Sequence, residues 1–336
     1  MRTERVLFVV DTHTGGEPTR IVIGGFPPVN CDSMIERLEY IKEKMDWIRT
    51  CVLFEPRGSM DSFGAIVLPP IDKRAEFSLI FMNTLGYMYM CGHATIGVAG
   101  ALSKLGYIRM EEPETEISYE TVAGIVNVRL HVKDSVIEKI SVVEPPSFFV
   151  KNMSIELGGV GAVSVDIAFG GNFFAIVDAE SLGIRVEMKN IRRLIELGLK
   201  IRDEVNGLEE TIHPENPYIK GVDLTMIYEK TGHENLHYRE VTIFGDGEFD
   251  RSPCGTGTAA RMACLYANGT MDIGDLLLHE SVIGTVFEGR ILSSARVGGY
   301  RAVIPEIYGN AYVTAISRVI LEPEDPLKYG FSTRVV

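Results

Sequence analysis

Met88-Tyr-Met-Cys91-Gly92-His93-Ala94-Thr95-Ile-Gly97-Val-Ala-Gly100-Ala-Leu102 has an echo later in the chain, Asp250-Arg-Ser-Pro253-Cys254-Gly255-Thr256-Gly257-Thr258-Ala-Ala. In both stretches a cysteine is followed at once by glycine, then by a run of small residues with the character of a helix. Laying Cys91 on Cys254 sets Cys-Gly-His-Ala-Thr over Cys-Gly-Thr-Gly-Thr. A cysteine at a helix N-terminus stands among unpaired backbone N–H groups, where the helix dipole favours negative charge. Such a place is expected to lower a thiol pKa and make thiolate available near neutral pH. The same N–H groups can hold a carboxylate. Two such places in one chain point to two thiols working together.

Working outward, the two motifs belong to a longer repeat. Asp11 and Gly15 stand 155 residues before Asp166 and Gly170. Cys91 stands 163 before Cys254, and Gly124 in Glu120-Thr-Val-Ala-Gly124 stands 160 before Gly284 in Glu280-Ser-Val-Ile-Gly284. A nearly constant offset across separate landmarks predicts two homologous halves, each with mixed strands around one central helix. Strands are expected at Val6–Val10, Arg20–Ile23, Ala65–Leu68, Phe77–Met82, Glu116–Tyr119, Ile125–His131 and Ile140–Val143. In the second half they are expected at Val163–Ile167, Phe173–Val177, Leu224–Tyr228 and Val241–Phe244. Apolar residues at 35, 38, 41, 45 and 48 predict an amphipathic helix over 33–48, with Ser33 and Glu36 as a capping box. A second helix is expected near 188–205. Pro145-Pro146 marks the boundary, which divides the chain into modules at 1–150 and 151–324.

Size and composition limit the partners. With 336 residues there is room for two domains, each with its own core. A formal charge of −13 and no basic patch argue against nucleic acid and anionic membrane as partners. The apolar run Val6–Val10 is too short for a signal peptide core or a spanning helix, so a cytoplasmic protein is expected. The five cysteines (31, 51, 91, 254 and 264) are odd in number and contain no C-x-x-C pair. Neither a disulfide framework nor a zinc ribbon is indicated. Cys31, Cys51 and Cys264 are read as small buried hydrophobes.

If the two halves face each other, their cysteines flank a small ligand. One thiolate can take a proton from one face of a carbon while the other thiol returns one to the opposite face. The product is an inverted stereocentre, made without metal or cofactor. The carbon acid is the α-carbon of an amino acid. Backbone N–H groups of Gly92, His93, Gly255 and Thr256 are expected to stabilise the charge on its carboxylate, and Asp250 to accept a hydrogen bond from its nitrogen. Other readings are weaker. Gly255-Thr-Gly257-Thr lacks the lysine and spacing of a phosphate loop. Cys91-x-His93 has no further ligands at recognisable spacing for a metal. A cysteine hydrolase has no use for a duplicated cysteine. A tight turn with a buried thiol explains either motif alone but not both at matching places. The remaining histidines (13, 131, 213, 233, 237, 279) form no constellation.

At these residues the chain resembles the proline racemase family, which includes hydroxyproline 2-epimerases and trans-3-hydroxyproline dehydratases. The segments that carry the likeness are Asp11-Thr-His-Thr-Gly-Gly-Glu-Pro18, Met90-Cys-Gly-His-Ala-Thr-Ile-Gly97, Asp166-Ile-Ala-Phe-Gly-Gly-Asn-Phe173 and Asp250-Arg-Ser-Pro-Cys-Gly-Thr-Gly-Thr258. The resemblance implies an α+β, diaminopimelate-epimerase-like fold of two pseudo-symmetric modules, each a mixed strand barrel around a central helix. It also implies a C-terminal segment, 325–336, that returns to the first module. Carried over by position, Cys91 and Cys254 are the acid/base pair, Gly92, His93, Gly255 and Thr256 hold the carboxylate, and Asp250 meets the ring nitrogen. Dehydratase members replace the first cysteine by serine or threonine; here Cys91 is intact. The expectation is therefore a cofactor-independent isomerase of proline, with 4-hydroxyproline epimerisation as the alternative. A dehydratase and a non-catalytic imino-acid binder rank below these. A homodimer is the assembly entertained.

Overall fold

The computed structural model describes residues 4–232 and 236–333. In chain order its elements are β1 (Arg5–Thr14), β2 (Glu17–Gly24), α1 (Met34–Lys44), α2 (Trp47–Leu53), β3 (Phe63–Leu68), β4 (Phe77–Asn83), β5 (Tyr87–Met88), α3 (Gly92–Lys104), β6 (Glu114–Thr121), β7 (Gly124–Lys133) and β8 (Val136–Val143). They continue with β9 (Ser147–Leu157), β10 (Gly161–Phe169), β11 (Phe173–Asp178), α4 (Ile191–Leu208), β12 (Leu224–Lys230), β13 (His237–Phe244) and β14 (Glu248–Phe249). The last are α5 (Gly255–Ala267), β15 (Leu276–Ser281), β16 (Val286–Val297), β17 (Tyr300–Gly309) and β18 (Ala311–Leu321). The chain divides into two compact units. The first holds Pro18–Ser141 with the described parts of Met1–Thr14 and Asn310–Val336; the second holds Gly15–Glu17 and Val142–Gly309.

In the second unit the strands close on themselves. Antiparallel pairs β9–β10 and β10–β11 lead through the parallel pair β11–β12 to antiparallel β12–β13. The parallel pair β13–β15 leads on through antiparallel β15–β16 and β16–β17, and β17 returns antiparallel to β9. The helix α5 is enclosed by this ring, packing on β9, β10, β11, β16 and β17. Every residue from Gly255 to Leu265 is buried, as a helix that lacks a polar face requires. The packing is tight enough to dictate composition. A side chain at Gly170 would place its Cβ 2.2 Å from the Thr256 carbonyl oxygen, so only glycine lets the β10–β11 turn reach the helix.

The first unit repeats this order strand for strand. β18 pairs antiparallel with β1, β1 with β2, and β2 parallel with β3. From β3 the ladder continues antiparallel to β4, parallel to β6, antiparallel to β7 and on to β8. The helix α3 is buried from Gly92 to Ser103 and packs on β1, β3, β7 and β18. Each parallel pair needs a crossover. The helices α1 and α2 provide it between β2 and β3, and α4 provides it between β11 and β12. The architecture is the duplicated α+β fold that the sequence led us to expect.

Three expectations need correction. The helix expected over 33–48 is two helices, because Asp46 turns its carboxylate to Arg49 Nε (2.8 Å) and the Tyr87 hydroxyl (2.9 Å) at the break. Its capping box is present: Ser33 Oγ accepts from Glu36 N–H at 3.2 Å, while the Glu36 carboxylate accepts from Asp32 N–H, also at 3.2 Å. The return to the first unit begins at Asn310, well before 325, because β18 takes beside β1 the place that β9 takes beside β10; residues 334–336 of that segment lie outside the described residues. Finally, the short strands β5 and β14, the strand β9 and the four strands from β15 to β18 were not foreseen.

Candidate active site

The first half-site sits at the start of α3. Cys91 is the N-cap residue, with extended backbone (φ −152°) and almost no exposure. Its carbonyl accepts from the Thr95 N–H at 3.0 Å and from the Thr95 hydroxyl at 2.8 Å, which locks the first turn. The helix thus opens with Gly92 and His93, whose N–H groups have no partner within the helix. His93 brings its side chain too: Nδ1 lies 3.2 Å from Cys91 Sγ. The imidazole is itself buried, its ring edge-on to Phe63 at 4.8 Å between centroids. A thiol and an imidazole at that distance can share a proton. The sequence assigned His93 only a backbone role.

The second half-site sits at the start of α5. Cys254 occupies the corresponding N-cap, also nearly fully buried, but with φ of 55°. Its N–H donates to Ser252 Oγ at 3.2 Å, and Ser252 N–H donates to Asp250 Oδ1 at 2.8 Å, so the loop Asp250–Pro253 is wound under the thiol. The Cys254 carbonyl accepts from Thr258 N–H at 2.8 Å. Thr256 Oγ1 lies 3.9 Å from Sγ. A side chain at Gly257 would put its Cβ 3.0 Å from Sγ; the missing side chain is the space the sulfur fills. In the same unit the tip of the β1–β2 hairpin is held by the Glu17 carboxylate, which accepts from Arg251 N–H at 2.8 Å and pairs with its guanidinium at 2.9 Å.

Electrostatics at Cys254 overturn the simple expectation of a thiolate. Burial pushes its pKa well above the usual thiol range, and the nearby carboxyls of Asp250 and Glu240 push the same way. The Gly257 N–H and Thr242 hydroxyl act in the opposite sense but do not prevail. A helix N-terminus is worth about 0.3–1 kcal/mol to an exposed anion, whereas removing an anion from water shifts a pKa by several units. Asp250 is raised as well, by burial first, against the opposing pull of Ser252 and the Arg251 charge.

All seven expected site residues fall into these two clusters. Cys91, Gly92 and His93 lie in the first unit, and Asp250, Cys254, Gly255 and Thr256 in the second. The sequence missed Ser252, Gly257, Thr242 and Glu240. Ser252 and Gly257 lie inside the quoted motif, but Thr242 and Glu240 belong to β13 and carry no local signal.

The other cysteines stand apart. Cys51 and Cys264 are buried, and burial pushes the Cys51 thiol up to about 12 and Cys264 upward too; Cys31 is only half-buried. The remaining histidines have structural neighbours. His13 stacks on Tyr312 at 5.3 Å, His131 lies 3.2 Å from Ser141 Oγ, and His237 is 3.3 Å from Glu280. His213 packs edge-on to Phe148 and Phe169, and His279 Nδ1 is 2.8 Å from the Thr258 hydroxyl. His233 lies outside the described residues. Among the described residues no group of three or more His, Cys, Asp or Glu could hold a metal ion. No helix there is long and apolar enough to cross a membrane.

Comparison with known proteins finds relatives that span nearly the whole chain. The proline racemase of Acetoanaerobium sticklandii is 41% identical over 334 residues, covering 99% of this chain and 100% of its own. That of Clostridioides difficile is 42% identical over 332 residues, covering 98% of this chain and 99% of its own. Among solved structures, a hydroxyproline epimerase from Agrobacterium vitis with bound trans-4-hydroxy-L-proline superposes with a TM-score of 0.91. It is 34% identical and covers 98% of this chain and 96% of its own. The sequence profile of the proline racemase family matches residues 9–332. With matching cysteines at the heads of two enclosed helices and likeness along its whole length, the chain belongs to the proline racemase family.

Proposed function

We propose that the protein is a cofactor-independent isomerase that inverts the α-carbon of proline, with Cys91 and Cys254 as its two acid/base groups. The observation that carries this reading is the equivalence of the two cysteines, each the N-cap of the buried helix of its unit. Cys254 is the partner that holds its proton at rest, since burial and two carboxyls disfavour its thiolate. Cys91, with His93 Nδ1 beside its sulfur, is then the base that accepts the α-proton. As negative charge builds on the carboxylate, the N–H groups of Gly92, His93, Gly255 and Thr256 take it up, while Asp250 accepts the ring N–H. The reverse direction uses the same groups with exchanged roles, as two-base inversion requires.

Epimerisation of 4-hydroxyproline is the second reading, favoured by the likeness to the Agrobacterium vitis epimerase with that imino acid bound. Dehydration of trans-3-hydroxy-L-proline ranks lower because cysteine stands at position 91. The test is chiral chromatography after incubation with L-proline, trans-4-hydroxy-L-proline and trans-3-hydroxy-L-proline, in deuterated water. Formation of D-proline with α-deuterium supports the first reading. Turnover of 3-hydroxyproline alone, to a cyclic imine trapped by a reductant, overturns it. Binding without α-exchange makes the protein a carrier. Dialysis against a chelator is expected to leave the rate unchanged under reducing conditions. The reading includes work in the cytoplasm, where thiols stay reduced, and as a homodimer, which sedimentation of the purified protein checks.

A further inference from the structure

The two cysteines are matched, but the threonines four residues after them are not used alike. Thr95 and Thr258 hold the same place in the aligned motifs. Thr95 turns both its hydroxyl and its N–H to the Cys91 carbonyl, at 2.8 and 3.0 Å. The Thr258 N–H likewise meets the Cys254 carbonyl at 2.8 Å, but its hydroxyl reaches one residue further back, to the Pro253 carbonyl at 3.0 Å. Beside that hydroxyl stands His279, on β15 and without exposure to solvent, with Nδ1 2.8 Å from Thr258 Oγ1. The strand that corresponds to β15 in the first unit is β6, since β15 pairs parallel with β13 as β6 does with β4. The offset of 160 that joins Gly124 to Gly284 puts Tyr119 in the place of His279. The Tyr119 hydroxyl is buried and has no hydrogen-bond partner among the described residues.

A carbonyl oxygen only accepts, and a hydroxyl has one proton to give. With that proton on the Pro253 oxygen, Thr258 Oγ1 can only accept from His279, so Nδ1 carries the hydrogen and the buried, unpartnered Nε2 is bare. In the other tautomer the Thr258 proton turns to Nδ1, and two acceptor oxygens face each other at 3.0 Å. We propose that His279 is a positioning residue that acts through Thr258: by donating from Nδ1 it commits the Thr258 proton to the Pro253 carbonyl, and so fixes the Pro253–Cys254 peptide that aims the Cys254 sulfur. The same peptide is held at its other end by Ser252 Oγ, which accepts the Cys254 N–H at 3.2 Å. Rotating this plane changes φ of Cys254, which stands at 55°, a strained value that persists only where it is held. Cys91, whose threonine makes no such reach, has an ordinary φ of −152°. Burial first, then the charges of Arg261 and His237, push His279 down to about 3, so the ring is neutral near pH 7. A protonated ring would donate from Nδ1 all the same. The inference rests on the reading of Cys254 as a proton-transfer group, but its first test does not need turnover.

The tautomer is read directly by nitrogen NMR of the full-length protein with isotopically labelled histidine, in which protonated and bare ring nitrogens have distinct shifts. The His279 signals are assigned through Leu278 and Glu280. Hydrogen on Nδ1 with Nε2 bare is the expected result. Hydrogen on Nε2 alone overturns the proposal, because Thr258 then gives its proton to the ring. His279→Leu removes the donor, and kcat is expected to fall about tenfold with KM nearly unchanged, the weight of one hydrogen bond. Asparagine sets its amide nitrogen where Nδ1 stands, so His279→Asn is expected to recover most of that loss. A parent-like kcat in His279→Leu overturns the proposal. So does His279→Asn no better than His279→Leu, which would leave the ring a role in packing only. Should the variants fail to fold, the tautomer decides alone. Hydrogen on Nδ1 in a parent that turns over no imino acid counts against the proposed function and still supports the hold on Pro253.

Discussion

Cys254 adopts φ of 55° and ψ of 104°, in the region of positive φ that L side chains rarely enter. Strain of this kind costs about 1–3 kcal/mol and persists where surrounding bonds over-determine it; here Ser252 Oγ and the Thr258 N–H do so. Replacement of either cysteine by serine is expected to abolish racemisation, by roughly 10²–10⁴-fold or more, because serine cannot pass a proton to and fro at neutral pH. Each single variant retains one thiol, so it is expected to exchange the α-proton of one enantiomer only. Separate deuterium incorporation into L- and D-proline measures this, and full racemisation by one variant would mean a single base. Because the resting enzyme needs one thiol and one thiolate, kcat/KM should be bell-shaped in pH, reporting the pair and not either sulfur alone. Cys264→Ser should cost some stability and little activity. The two cysteines and their helix-start neighbours were legible in the sequence because they are contiguous in it. The direction of the Cys254 pKa was not, since it is set first by burial, which no motif states, and then by Asp250 and, from β13, Glu240.

At the scale of the element, α3 and α5 are chosen for slenderness more than for helix propensity. Gly97 lies where a Cβ would come within 2.8 Å of Thr12 Oγ1, and Gly257 where it would press on Cys254 Sγ at 3.0 Å and Met226 Cε at 2.5 Å. The Met226 methyl can swing away, but the Cys254 backbone that carries the sulfur is pinned by Ser252 and Thr258. Gly257→Ala is therefore expected to displace the thiol, lowering kcat far more than it raises KM. Its stability cost should be about 1–3 kcal/mol, the usual range for overpacking, read from denaturant unfolding. Both helices were predictable from small residues after a cysteine. The strands from β15 to β18 were not, because their inward positions are not reliably apolar. In β16 the buried residues are Phe287, Gly289, Ile291 and Val297, with an exposed run of Leu292, Ser293 and Ser294 between them. A register shift between Ile291 and Ser293 breaks the alternation that marks a strand. The break at Asp46 was hidden for a related reason: its cause is an ion pair with Arg49, which apolar spacing does not encode.

On the scale of the whole molecule, duplication was visible in the offsets of three landmarks, and the ladder orders of the two units match them. One buried group gives the second unit a pH dependence unrelated to catalysis. Glu144 is fully buried with neither carboxyl oxygen bonded, and burial pushes it up to about 8. Its unfolded value is near 4.5, so between these limits the folded chain binds more protons than the unfolded one, and stability falls as pH rises from about 4.5 to 8. Glu144→Gln should flatten the decline of Tm between pH 5 and 8; an unchanged slope would mean the carboxyl finds a partner in solution. The exchange of β9 for β18 has a consequence for the order of events during synthesis. The second unit is drawn almost entirely from Val142–Gly309, and its ring is complete once β17 has been made. The first unit, although translated first, cannot seal the flank of α3 until β18 arrives, since Arg5 must meet Leu321 and Thr14 must meet Ala311. Closing so long a loop is entropically costly and slow. The later half of the gene product should thus mature before the earlier half. A nascent chain stopped before Asn310 should show protease resistance across Val142–Gly309 and none around Cys91.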